Sequence, residues 1–315
     1  MSHPLESGDP RWLGEYRLTG WLRLGSQGMV YDGYAEDGTR VAVKVLHRHR
    51  GCLTSAAAEE VAAARRVASP YVARILQARL DGPRPHVVSE FADGPDLFQV
   101  LGTGPRLLRA IGRRRRLAGG DLRRLAVGVA AALTGLHEAG VVHGDLKPSD
   151  IRLGPRGPRV TGFGVGRSAR ERVGDAVRIT EEPVRAAPYV APETIRGEEP
   201  TAATDVYAWG AIVLRAATGL PACSSRDLVR MLHRTLTEEH DLSGLPESLR
   251  PLVGAALAKD PSARPAASAL LGALTTPAGA PGDEVSVRPA VDEAGDGPSP
   301  EPSPASPGLP VYAGR

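Results

Sequence analysis

The stretch Val141 to Asp150 reads VVHGDLKPSD. An apolar pair runs into a loop that Pro148 keeps out of regular structure. Within six positions the loop carries two carboxylates, Asp145 and Asp150, and one ammonium, Lys147. Charges set directly behind two valines are costly unless each has a partner or a task. The residue types suit a proton acceptor at Asp145, a charge stabiliser at Lys147 and a cation ligand at Asp150. His143, by contrast, reads as a packed, hydrogen-bonded core residue.

Lys147 gains weight from the rest of the chain. Of the 39 basic residues only Lys44, Lys147 and Lys259 are lysine, and all the others are arginine. A chain that uses arginine almost everywhere keeps lysine where a compact ammonium on a flexible stem is needed. Lys44 ends the apolar run VAVK, an odd place for a lone charge, and a helical stretch with Glu59 and Glu60 follows. Upstream, RLGSQGMVY sets Gly25 and Gly28 about a tight turn, where backbone N–H groups can approach a phosphate. A strand lysine facing a helix glutamate beneath a glycine turn makes an anion clamp.

The bulk properties exclude several classes. Over 315 residues, 42% are hydrophobic and 24% charged, which suits a globular protein. A net charge of +3 is too balanced to argue for nucleic-acid binding. Cys52 and Cys223 make neither a disulfide framework nor a metal-ligand spacing. The first ten residues lack the apolar core of an export signal. No apolar run reaches the ~20 residues that span a bilayer, and Arg215 interrupts the best candidate, Trp209 to Leu220. The expectation is a cytoplasmic protein with no membrane contact.

Along the chain the pattern changes once. From about 16 to 90, short β-rich runs alternate with turns, among them an Asp-Gly hairpin signal in AEDGTR. One helix, about Ser55 to Ala68, interrupts them. After residue 93 helices dominate. The clearest is N-capped by Asp121, has Leu122, Leu125, Val129, Leu133 and Leu136 at helical spacing, and stops at Gly140. The expected fold class is α+β and bilobal, with a small β-rich lobe over 12–90, a larger helical lobe over 93–275 and a cleft between them. Residues 1–11 are expected to be disordered. So is 276–315, a Pro/Gly/Ser-rich tail that buries too little apolar surface to offset its chain entropy. The arginine cluster Arg113 to Arg116 reads as a solvated loop face.

The chain resembles the protein kinase superfamily, and within it the bacterial eukaryotic-like Ser/Thr kinases, from about Tyr16 to Ala273. RLGSQGMV resembles the Gly-rich loop, VAVK the strand of the phosphate-binding lysine, and Glu60 the small-lobe helix glutamate. VVSEFADGPDL resembles the hinge, HGDLKPSD the catalytic loop, and GFG stands where Asp-Phe-Gly belongs. APYVAPE, DVYAWG and LAKDPSARP follow in the family's order. The resemblance implies a protein-kinase-like fold, ATP with Mg²⁺ or Mn²⁺ as cofactors, and a protein substrate or regulated partner. It puts Leu22, Val30 and Ala42 above the adenine, the Glu90–Ala92 backbone at its edge, Gly25 and Gly28 over the phosphates, and Lys44, paired with Glu60, on phosphate oxygens. It makes Asp145 and Lys147 catalytic and Asp150 the metal ligand. Glu193, Arg264 and Asp205 are implied to be structural.

The departures cluster at the reaction centre. Arg23 stands at the first loop glycine, Gly144 at the arginine before the catalytic aspartate, Asp150 at the metal-binding asparagine, Gly162 at the aspartate of Asp-Phe-Gly, and Ala186 at a threonine. Glycine offers Mg²⁺ no ligand, so the leading expectation is a pseudokinase, an ATP-binding signalling protein with weak or lost phosphoryl transfer. One carboxylate leaves the site at 162 as another enters at 150, so an active kinase with Asp150 in a rearranged metal site is the alternative. A nucleotide-independent scaffold is a third reading, and the lysine spared at 44 argues against it. A small-molecule phosphotransferase, suggested by HGD, is disfavoured by APYVAPE and DVYAWG. Gly144 also predicts that phosphorylation of the activation segment, at Thr180 for example, is not the switch.

Overall fold

The computed structural model describes residues 2–25, 28–46, 55–102, 116–164, 186–221 and 227–276. Thr180, Cys52, Cys223, Arg113 to Arg115 and the tail beyond 276 lie outside them.

The fold is α+β and bilobal. The small lobe is one antiparallel sheet of six strands in the order β1-β2-β3-β4-β6-β5. These are β1 (Trp12–Leu13), β2 (Tyr16–Gly25), β3 (Gly28–Tyr34), β4 (Arg40–Leu46), β5 (Ile75–Arg79) and β6 (His86–Glu90). Period-2 alternation builds it. Tyr16 and Leu18 of β2 and Val41 and Val43 of β4 are buried with Tyr31 and Val88, while Arg17 and Thr19 lie on the other face. The Asp-Gly turn joins β3 to β4: Ala35 N–H donates to the Thr39 carbonyl at 2.9 Å, and Gly38 takes φ +83°. Helix α1 (Ser55–Arg65) packs against β5.

Residues near the N-terminus do not match the expectation of a structureless 1–11. His3 N–H donates to the Trp21 carbonyl at 2.8 Å, Trp21 N–H returns the bond at 2.9 Å, and the two rings stack 4.0 Å apart. Tyr31 Oη donates to Asp9 Oδ1 at 2.7 Å. The segment lacks apolar content but finds partners on the sheet edge, with Gly20 leaving room for the His3 carbonyl.

The large lobe begins with α2 (Leu97–Leu101), capped by Asp96, whose Oδ1 accepts from Gln99 N–H at 2.7 Å. Helix α3 (Gly119–Glu138) buries Leu122, Leu125, Val129, Leu133 and Leu136. It starts two residues before the expected cap. Ala118 holds the cap position, and Asp121 sits in the first turn, where its charge meets the positive end of the helix dipole. The strands β7 (Ile151–Gly154) and β8 (Gly157–Val160) form a hairpin beneath the cleft. Then come α4 (Pro192–Ile195), α5 (Ala202–Thr218), α6 (Leu228–Thr237), α7 (Arg250–Ala256) and α8 (Ala267–Thr275). Apolar nearly all round, α5 is the buried axis of the lobe; its Trp209 Nε1–H donates to the Ala126 carbonyl of α3 at 3.0 Å. Among the described residues no helix is long and apolar enough to cross a membrane. Lys259 is structural: its Nζ donates to the Thr235 carbonyl at the end of α6, at 2.8 Å.

Candidate active site between the lobes

The loop 143–150 is held from below. Asp205, in the first turn of α5, accepts from the backbone N–H groups of His143 and Gly144, both at 2.8 Å, and from His137 Nε2 at 2.9 Å. His143 is buried with its Nε2 on the Thr161 carbonyl at 3.0 Å, a core residue as its surroundings suggested. On this platform Lys147 Nζ donates to Asp145 Oδ2 at 2.6 Å and lies 3.7 Å from Asp150 Oδ2. Burial lowers the Lys147 pKa, but the carboxylates of Asp150 and Asp145 outweigh it and hold the ammonium charged above its ordinary range.

The other wall comes from the sheet. Leu22, Val30 and Ala42 line a cleft of about 920 Å³, open mouth included, with the Glu90–Ala92 segment at its back. Gly25 and Gly28 face each other across the β2–β3 turn. Gly28 has a second reason to be glycine. Its φ is +152°, and a Cβ there would sit 1.9 Å from the Val45 carbonyl oxygen of β4. Lys44 Nζ lies 3.4 Å from the Gly162 carbonyl, and Glu60 is half-buried on α1. Glu90 gives the cleft its backbone, since its carboxylate turns away to Arg74 Nε at 2.7 Å and to Arg159. The Ala92 carbonyl accepts from Arg152 Nε at 3.3 Å, and Arg152 Nη1 lies 3.8 Å from Asp96. Arg152 and Asp96 are thus cleft residues that sequence reasoning missed.

Asp150, the expected metal ligand, is paired with Arg23. Arg23 Nη2 donates to Asp150 Oδ1 at 2.6 Å, and Nη1 donates to the Ser149 carbonyl at 3.0 Å. Burial pushes the Asp150 carboxyl up, but Lys147 and Arg23 overcome that and hold it at about 2, so it is ionised throughout the neutral range. Directly opposite is Gly162: a Cβ there would meet Asp150 Oδ1 at 3.3 Å and Arg23 Nη2 at 3.4 Å. A divalent cation does not fit this donor set. Gly162 supplies no side-chain oxygen, and the one carboxylate facing it already has two cationic side chains within 4 Å. A charge signal was available in the sequence: an arginine gained at 23 accompanies the aspartate gained at 150 and lost at 162.

Lys44 titrates unusually. Burial, with Arg23 adding to it, brings its pKa down to about 8, partly offset by Asp150. Below that pH the ammonium is charged and attracts phosphate; above it the charge is lost. A phosphate-bearing ligand held by this ammonium is expected to bind with flat affinity below pH 8 and more weakly above it, by up to about tenfold per pH unit. Calorimetric titration from pH 6.5 to 9.5 measures this, and Lys44→Arg, charged throughout, should flatten the profile.

The protein kinase domain family matches residues 16–273. The chain is 33% identical over 279 residues to a protein named "Probable serine/threonine-protein kinase PkwA" of Thermomonospora curvata, covering 88% of this chain and 36% of that one. It is 32% identical over 270 residues to the serine/threonine-protein kinase AfsK of Streptomyces coelicolor, covering 84% of this chain and 32% of AfsK. It is 34% identical over 265 residues to PkaB of the same organism, covering 79% and 60%. The chain belongs to the protein kinase family, among the bacterial eukaryotic-like Ser/Thr kinases. It spans about a third of the length of PkwA and AfsK.

Proposed function

We propose that this chain is a nucleotide-binding signalling member of the Ser/Thr kinase family with weak or lost phosphoryl transfer, acting through a partner protein. One observation carries the reading: the Arg23–Asp150 ion pair set against Gly162. Family members use divalent cations to bridge the β- and γ-phosphates and to neutralise charge as transfer proceeds. Here the ligand at 162 is missing and the carboxylate at 150 is committed to a guanidinium. Nucleotide binding is supported by the apolar wall of Leu22, Val30 and Ala42, with Lys44 at its inner end and the Asp145–Lys147 pair beyond. The alternative of an active kinase that uses Asp150 for metal loses its ligand to Arg23.

Transfer of labelled γ-phosphate to the chain itself and to a basic protein substrate, with Mg²⁺ and with Mn²⁺, tests the reading. The expected signal is no greater than that of Lys44→Met. Turnover well above that control, with either metal, overturns the loss of catalysis. Saturating nucleotide at 100 Kd should add about 2.7 kcal/mol of stability, and no thermal shift favours a scaffold without nucleotide.

A further inference from the structure

Arg23, Asp150 and Gly162 make one device. Arg23 belongs to β2 of the small lobe, and its guanidinium reaches into the large lobe to bond the Ser149 carbonyl and Asp150. Gly162 leaves the space that it enters; any side chain there would grow from 3.4 Å away. Asp150 supplies the counter-charge, with only 4% of its side chain exposed. The small pocket under the glycine turn is lined by Arg23, Lys44 and Lys147 against Asp145 and Asp150. Its positive charge is therefore carried by covalently attached side chains. A guanidinium stays charged at any relevant pH and presents five N–H donors in a planar fork that suits phosphate oxygens.

We infer that Arg23 takes the place of the divalent cation, so that the cleft binds nucleoside di- and triphosphates without metal. This rests on the nucleotide-binding reading above and adds how the phosphates are held. A metal–nucleotide complex would bring a second cation against Arg23 and Lys44 and would find no carboxylate at 162. Metal-free nucleotide meets the same groups with its charge intact. A fixed guanidinium favours the bound polyphosphate, but it does not move with the transferring group or draw the attacking and leaving oxygens together, so binding and catalysis come apart.

The test is calorimetric titration of the full chain with ATP and with ADP, in EDTA and in excess Mg²⁺. Wild type is expected to bind in EDTA at least as tightly as in Mg²⁺, and Arg23→Gln to lose about tenfold or more in EDTA. Binding that requires Mg²⁺ overturns the inference and leaves the nucleotide-binding reading standing. Absence of binding in both conditions removes both. Undiminished affinity of Arg23→Gln in EDTA overturns the assignment to Arg23. The comparison of the two conditions needs no variant. If Arg23→Gln does not fold, Arg23→Lys, which keeps charge without the fork, should bind several-fold more weakly in EDTA, and equal affinity overturns the role given to the fork.

Discussion

Arg264→Ala is expected to destabilise the protein by about 3–5 kcal/mol and to lower its melting temperature by roughly 10 °C. Arg264 is wholly buried, and Glu193 is 2% exposed. The two make a two-pronged pair, Nη1 to Oε1 at 2.7 Å and Nη2 to Oε2 at 2.8 Å. The same guanidinium donates to the carbonyls of Ala203 at 2.9 Å and Ala258 at 2.8 Å, tying the start of α5 to the segment after α7. Removing it leaves a buried carboxylate with Thr204 Oγ1, at 2.9 Å, still donating to it. The pair need not beat an apolar substitute of the same shape; the prediction concerns the charge left behind. Differential scanning calorimetry against Arg124→Ala decides it. The Arg124–Asp121 pair is 74% and 64% exposed, so its loss should cost under about 1 kcal/mol. Equal melting temperatures for the two variants contradict the argument.

The fold was legible where short-range patterning acts. Asp37–Gly38 marks a hairpin because left-handed backbone is cheap for glycine, and Leu122 to Leu136 mark α3 because one helix face must be buried. Glu193 and Arg264 are 71 positions apart, so no spacing rule joins them; only the resemblance to a family did. Composition measures what a chain can bury alone, so it does not foretell that His3 and Asp9 find partners in Trp21 and Tyr31 of the sheet. At the site, the sequence points Asp150 at a metal ion, while in the structure its carboxylate is paired with Arg23. Arg23 counted only as a lost glycine, since nothing local connects position 23 with position 150; the sheet and the loop meet only across the cleft. Arg152 escaped for the same reason, as it reaches the hinge carbonyl of Ala92 from the hairpin below.

Reversing three of the five departures together, Arg23→Gly with Asp150→Asn and Gly162→Asp, is expected to raise Mg²⁺-dependent phosphoryl transfer by about a hundredfold over the parent chain. Gly162→Asp alone should not. Its Cβ would arise 3.4 Å from Arg23 Nη2 and 3.3 Å from Asp150 Oδ1, so the new carboxylate would be drawn onto the guanidinium and repelled by its neighbour. The left-handed φ of +86° at 162 strains any side chain placed there, and aspartate is among the residues that bear that strain best. Arg23→Gly alone should not restore transfer either, since it leaves Asp150 buried beside Lys147 without its nearer partner, and 162 still offers no ligand. Only the triple change clears the cation, moves the carboxylate to the other side of the pocket and leaves a neutral oxygen at 150, which is the arrangement the family's metal chemistry requires. The three changes touch one another, so their effects should be far from additive, and a cycle through the single and double variants measures that coupling. A triple variant that folds and binds Mg-ATP yet transfers phosphate no faster than the parent would place the deficit outside this cluster, with Gly144 and Ala186 the next positions to restore.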